Sequence, residues 1–323
     1  MRVVVIGGTG HIGSFLVPRL VRAGHEVVSL SRGTATPYVD QPEWEHVEQV
    51  VVDREMGDGD GTFPSRIGRL GADTVIDLLC FTPASAAALI RQLRGRGVHL
   101  ITCGSVWRAG PSVGAPITED TAPPPAGEYG TAKDAIARLL AAESQAGELL
   151  TTSLHPGHIS GPGWAPVGPT GNVDPTVWWA LSAGEPLTIP GIGAETMVHV
   201  HADDVAQAFA LAVAARETVS GEDFFVTAAD ALNVRGYAEL GASWFGRTAT
   251  LETVTWPQFW ELTDTDHAQA SWEHLWRSHV CSIDKARRML GYTPEYTAGE
   301  TVLAAVRAWV DSGGLAVAGP MVV

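Results

Sequence analysis

The chain is short of cysteine, of positive charge and of long apolar runs, and each shortage excludes something. Three cysteines, Cys80, Cys103 and Cys281, form an odd and sparse set. They make no disulfide framework and suit a reducing compartment. Lysine and arginine number 21 against 36 aspartates and glutamates, for a formal net charge of −15. Such a surface repels phosphate backbones, so nucleic acid is not an expected partner. No run of about 18 apolar residues occurs, which argues against a membrane-spanning helix. The first residues lack the basic region and cleavage site of a signal peptide, and the expected location is the cytoplasm. Internal repeats and low-complexity tracts are also missing. The 323 residues, 45% of them hydrophobic, suffice for one large domain or two interlocked ones.

The most informative segment is Val5-Ile6-Gly7-Gly8-Thr9-Gly10-His11-Ile12-Gly13. A β-branched run that breaks into glycines and then into an apolar-periodic stretch (Ile12, Phe15, Leu16, Leu20, Val21) reads as a strand meeting a helix around a phosphate. Gly7 permits the tight turn, Gly10 lets a pyrophosphate approach the backbone, and Gly13 lets the helix lie close to the sheet. The helix N-terminus, reached through Thr9, His11 and Ile12, offers free N–H groups to the anion. Pro18 breaks the pattern and predicts a kink.

The first half alternates short apolar runs with helical patterns, the signature of a parallel sheet covered by helices. Strands are expected at Arg2–Ile6, Glu26–Leu30, Val47–Val52, Thr74–Leu79, His99–Cys103 and Leu150–Leu154. Helices are expected after Gly10, Thr82, Tyr129 and His201. The glycine- and aspartate-rich stretch Met56–Phe63 reads as a loop, and it lacks the later ligands of a calcium site. From Gly157 onward, breaker-rich segments and clustered tryptophans suggest a smaller region closing over the sheet. The expected division is a dinucleotide-binding part at 1–165, with 196–216 returning to it, and a substrate-binding part at 166–195 and 217–323.

Tyr129-Gly130-Thr131-Ala132-Lys133 opens a helical pattern and places phenol and ammonium on one face. A lysine beside a phenol favours phenolate and lowers its pKa, so the phenol can exchange a proton with a hydroxyl or ketone oxygen while hydride moves at the same carbon. Together with the glycine motif, this pair resembles the short-chain dehydrogenase/reductase superfamily, in its extended or atypical branch of NAD-dependent epimerases and dehydratases. Further matching pieces are Asp53, Asp77-Leu78-Leu79, the segment from His155 to Pro162, and His201-Ala202-Asp203-Asp204-Val205-Ala206. The resemblance implies a doubly wound Rossmann-type α/β fold with a smaller C-terminal substrate-binding region. It also implies adenine contact by Asp53, cofactor contacts by Leu78, Leu79 and Cys80, and further contacts by Lys133, His155, Gly157 and His158. Of the catalytic trio, Tyr129 is the base, Lys133 lowers its pKa and holds the nicotinamide ribose, and a hydroxyl orients the substrate oxygen. Ser105 is first choice for that hydroxyl and Thr102 second. Cys103, which occupies the family's usual position, reads better as a buried inert thiol.

At the end of the second strand, Ser31 stands where an NAD enzyme usually has a carboxylate, and Arg32 could pair with a 2′-phosphate. This favours NADP(H), with NAD(H) possible. Nucleotide-sugar members carry arginines where this chain has Met197 and His155, so a nucleotide-diphosphate sugar is not favoured as substrate. No metal is expected, despite His155, His158, His199 and His201. His158 or His199 could still act as an extra acid or base. Trp107 and Trp164 are candidates to stack on a sugar-like ring, while Trp256, Trp260, Trp272 and Trp276 are expected in the core. The resulting expectation is an NADP(H)-dependent epimerase/dehydratase-type enzyme acting on a sugar-like secondary alcohol or ketone. Alternatives are an NADPH ketoreductase of a natural-product or polyol carbonyl, and a non-catalytic dinucleotide sensor. A homodimer through the Ala84–Leu89 and Ala132–Ala142 faces is also expected.

Overall fold

The computed structural model describes all 323 residues. Its strands are β1 (Arg2–Ile6), β2 (Glu26–Ser31), β3 (Glu48–Val51), β4 (Thr74–Asp77), β5 (His99–Cys103), β6 (Leu150–Pro156), β7 (His158–Ser160), β8 (Pro186–Pro190), β9 (Thr196–Met197), β10 (His199–His201), β11 (Asp223–Val226), β12 (Leu232–Asn233) and β13 (Thr250–Val254). Its helices are α1 (His11–Arg22), α2 (Arg54–Asp60), α3 (Thr62–Gly68), α4 (Pro83–Leu93), α5 (Gly127–Gln145), α6 (Pro175–Ala183), α7 (Ala202–Ala214), α8 (Val234–Ser243), α9 (Trp256–Leu262), α10 (Thr265–Leu275), α11 (Asp284–Leu290) and α12 (Ala298–Asp311).

Seven strands form one parallel sheet in the order β11-β6-β5-β4-β1-β2-β3. A parallel sheet is covered on both faces, which is why β1 is apolar at every inner position. Val3 and Val5 join the layer that packs on Leu16 and Phe209 of α1 and α7. Val4 and Ile6 face the opposite layer, with Ile67, Leu89 and Ile136 of α3, α4 and α5. The strand order reverses between β1 and β4, and the crevice at their carboxyl ends is where such sheets bind ligands. A third core around Trp178, Tyr237, Leu275 and Val302 builds the wall above that crevice.

α7 packs across α1, and Arg19 donates two hydrogen bonds to the Asp203 carboxylate, each at 2.7 Å. Several sequence expectations change here. α1 continues unbroken through Pro18. The missing proline N–H removes one hydrogen bond from α1 without ending it, and α1 packs against α7. Residues 56–63 are not a loop. Asp53 accepts from the amides of Glu55 and Met56 and starts α2, and Gly61, at φ +76°, reverses the chain into α3. Gly57 is required by packing, because a Cβ there would lie 2.7 Å from Phe63 Cβ. Asp223–Val226, placed by the sequence in the smaller region, pairs with β6 as the edge strand of the main sheet, and α11 packs beneath it. The apolar residues Ala86, Leu89, Ile136 and Leu140 of α4 and α5 are consumed by the core under the sheet, which leaves less for the expected dimer face.

Candidate active site

Two cavities meet over the turn after β1. Both touch Gly7, Gly10, Leu79 and Phe81. Gly7 sits at φ +88°, a conformation that favours glycine. A Cβ on Gly13 would stand 2.2 Å from the Gly8 carbonyl oxygen, so only glycine lets α1 dock this closely on the turn. α1 has no side-chain cap and no acid in its first turn. The amides of His11, Ile12 and Gly13 donate to no carbonyl in the chain. Three free amides at a helix N-terminus beside a glycine turn fit a dinucleotide pyrophosphate.

The outer cavity, about 540 Å³, is lined by Thr9, Gly10, Ser31, Arg32 and Asp53 among the predicted cofactor residues. Arg32 is exposed. Asp53 spends one carboxylate oxygen on the α2 amides, at 2.9 Å from Glu55 N. Arg54, the other guanidinium of this cavity, is taken by Asp77 at 2.6 Å and Asp58 at 3.1 Å.

The inner cavity, also about 540 Å³, brings together Ser105, Tyr129 and Lys133 with His11, Ile12, Leu78, Gly157 and His158. Tyr129 lies in the first turn of α5, which begins two residues earlier at Gly127. Lys133, 2% exposed, donates from Nζ to the carbonyl oxygens of Cys80 (2.8 Å), three residues past the end of β4, and Cys103 (2.9 Å), the last residue of β5. The same ammonium lies 4.6 Å from the Phe81 ring centre and 5.5 Å from that of Tyr129. Ser105 Oγ accepts from Trp107 N at 3.1 Å, which leaves its hydroxyl proton to donate.

The phenol differs from expectation. Burial pushes the Tyr129 pKa up to about 12, the neighbouring Cys103 adds to this, and only the hydrogen bond with Ser105 opposes it. Lys133 Nζ lies 5.5 Å from the Tyr129 ring centre and makes its hydrogen bonds to the Cys80 and Cys103 carbonyls, not to the phenol. The Cys103 thiol is raised to about 11 by burial, so it is not a reactive thiolate at neutral pH.

Other predicted residues sit elsewhere. Thr102 is buried with its Oγ1 3.4 Å from Ser153 Oγ, away from both cavities. Cys80 contributes its carbonyl to Lys133 rather than a side chain to the groove. His155 is fully buried and lines neither cavity; its Nδ1 accepts from Ser105 N at 3.3 Å. His158 does reach the inner cavity, and its Nδ1 lies 3.1 Å from the Val198 carbonyl. His199 is fully buried behind it, 5.4 Å away between ring centres. Burial holds both imidazoles well below their ordinary range, His199 at about 3. His201 caps α7 by accepting from Asp203 N. No cluster of three or more His, Cys, Asp or Glu groups is arranged to hold a metal.

Trp164, 51% exposed, stacks on His11 at 5.1 Å and lines the inner cavity. Trp107 also lines it, but the Arg277 guanidinium covers its ring at 4.0 Å. The sequence reading missed Phe81 and His274. Phe81 directly follows the predicted Leu78–Cys80 contacts and could have been included with them. His274 comes from α10, where no local pattern marks it.

The sequence model of the NAD dependent epimerase/dehydratase family matches residues 3–227. A 2′-dehydrokanamycin reductase of Streptomyces kanamyceticus is 33% identical over 215 residues, 65% of this chain and 57% of that protein. A UDP-glucose 4-epimerase of Mycolicibacterium smegmatis is 31% identical over 229 residues, 65% of this chain and 72% of that one. Among solved structures, UDP-glucose 4-epimerase of Thermotoga maritima with UDP-glucose superposes with a TM-score of 0.70 at 19% identity, covering 97% of this chain and 99% of that one. The UDP-glucose 4-epimerase of Thermus thermophilus in complex with NAD gives 0.69 at 21% identity, covering 96% and 99%.

Proposed function

The chain belongs to the NAD dependent epimerase/dehydratase family of NAD(P)-dependent enzymes, and from that premise we propose that it is an NADPH-dependent reductase of a ketone on a sugar-like molecule that carries no nucleotide diphosphate. The observation that carries the reading is the charge of the inner cavity. Lys133 is its only lysine or arginine, and both of its hydrogen bonds are internal. Met197 and His155, which stand where nucleotide-sugar members have arginines, are fully buried. A substrate diphosphate would find no guanidinium there.

The same lack favours net reduction over a redox-neutral outcome. A ketone intermediate stays in the site only if a remote part of the molecule anchors it; without a diphosphate clamp it exchanges with solvent. The phenol serves this direction: Tyr129 is protonated at neutral pH, as a tyrosine ordinarily is, and lines the cavity where it can donate to a ketone oxygen. A bound nicotinamide dinucleotide supplies the hydride. Ser105 donates its hydroxyl proton to the same oxygen and orients it. Lys133 has one N–H left after Cys80 and Cys103, available to a ribose hydroxyl. Tyr129 stands in the wall of the open groove, crowded by protein on one side yet 42% exposed on the other, so it regains its proton from water. Arg32, with Ser31 beside it, favours NADPH over NADH. The 2′-dehydrokanamycin reductase among the relatives fits a substrate of this class.

The test follows NADPH absorbance with non-nucleotide keto-sugars, and in parallel UDP-glucose or UDP-galactose with catalytic cofactor. The expected outcome is NADPH consumption with the free keto-sugar, weakened about tenfold when NADH replaces NADPH. Interconversion of UDP-hexoses without net cofactor consumption would overturn the reading.

A further inference from the structure

We infer that His155 is a positioning residue for Ser105, an imidazole strut that replaces the missing rung of the β5–β6 ladder. The inference rests on Ser105 being the hydroxyl that holds the substrate oxygen. β5 and β6 are paired up to Cys103 and Leu154, and Gly104 N still donates to the Leu154 carbonyl at 2.6 Å. One residue on, the ladder ends. Ser105 N has no backbone acceptor and donates instead to His155 Nδ1. Nothing else in the chain accepts that amide, so the imidazole fixes the serine on its N-terminal side. The Trp107 amide fixes it through Oγ on the other.

The space around the ring matches strut to turn. A Cβ on Gly104 would lie 2.0 Å from His155 Nδ1, so the ring occupies the volume a side chain would need. Because Nδ1 accepts, the ring proton is on Nε2. Nε2 has no hydrogen-bond partner and faces the Asp223 carboxylate at 3.6 Å. Asp223 is held in turn by Arg108 and by Lys285 Nζ at 3.2 Å. The ring is thus backed by a fixed charge network and cannot easily rotate. This use differs from the cofactor contact that the family resemblance implied for position 155.

A double-mutant cycle between His155→Leu and Ser105→Ala tests the role, reading kcat, KM and dinucleotide affinity separately. A hydroxyl displaced by about 1 Å costs on the order of 100-fold in rate. His155→Leu is therefore expected to lower kcat by about that factor, with dinucleotide affinity unchanged, and to cost nothing further in the Ser105→Ala background. His155→Asn, whose amide oxygen stands where Nδ1 stands, is expected to retain most of the activity. If His155→Leu does not fold, His155→Gln, which moves the acceptor one bond outward, takes its place in the cycle. Multiplicative losses in the double variant, or a fall in dinucleotide affinity parallel to kcat, would overturn the positioning role alone. Full activity in Ser105→Ala would overturn the reading of Ser105, and the positioning role with it.

Discussion

The turn after β1 and the turn after β5 face the same groove, yet they are stabilised in different ways. The first uses almost no side chains. Gly7 takes φ +88°, Gly13 lets α1 come close, and three amides are left free. The second is held by residues distant in the chain: His155 takes the Ser105 amide, and Lys133 ties the Cys103 carbonyl to that of Cys80. A site that binds a constant anion can be made from backbone within one short segment. A site that must aim a hydroxyl and a phenol at one atom needs side chains from several strands.

Substitutions should separate the two turns. The largest effect is expected for Tyr129→Phe, which removes the acid and leaves the glycine turn intact. kcat should fall by about 10³ while dinucleotide affinity, read by fluorescence titration, stays within about twofold. A parallel loss of binding would show that the two turns are not separable. Next comes Gly13→Ala, whose Cβ meets a backbone carbonyl at 2.2 Å. Overpacking against backbone should cost about 3 kcal/mol of stability, and the displaced amides should weaken dinucleotide binding further. Thermal melts with and without NADPH measure both, and an unchanged melt would remove the close-packing argument.

A smaller effect is expected from pH. Burial lowers His11 and His201 to about 4 and His99 and His199 to about 3. These imidazoles are neutral in the fold, whereas the unfolded chain protonates near 6.5. Their contribution is complete above that pH and is lost as pH falls from about 6.5 toward 4. Asp204, raised to about 6 by burial, acts in the opposite sense between about 6 and 4, since the fold then holds its proton more tightly. The histidines outnumber it, so stability should drop by about 2 kcal/mol or more between pH 7 and pH 4.5. A melting temperature that is flat or rises on acidification would mean the buried rings carry charge in the fold.

Much of the molecule can be read from the chain because its signals are local. The β-branched runs of the first six sheet strands, the glycine spacing, and Tyr129 and Lys133 one helical turn apart all appear in the structure near their expected places. The remainder depends on contacts remote in sequence. Asp223–Val226 carries no glycine or helix signal that ties it to the first half of the chain, and it joins the main sheet by pairing with β6. Gly57 and Gly59 disguise α2, which the Asp53 cap nevertheless starts. His274 reaches the cavity only because α10 folds back over it. The direction of the Tyr129 shift depends on burial and on the neighbouring Cys103 and Ser105, which the Tyr-x-x-x-Lys spacing does not show.

Lys133 has a thermodynamic consequence of its own. A lysine side chain free in solution loses up to about 2 kcal/mol of rotamer entropy when it is fixed. Here the carbonyls of Cys80, in the loop after β4, and Cys103, at the end of β5, already hold the ammonium before any ligand arrives. That ordering cost falls on folding rather than on binding, so a dinucleotide meets a donor whose direction is set. The seam between β4 and β5, at the edge of the switch point, is thereby made stiff where the hydride must be aimed.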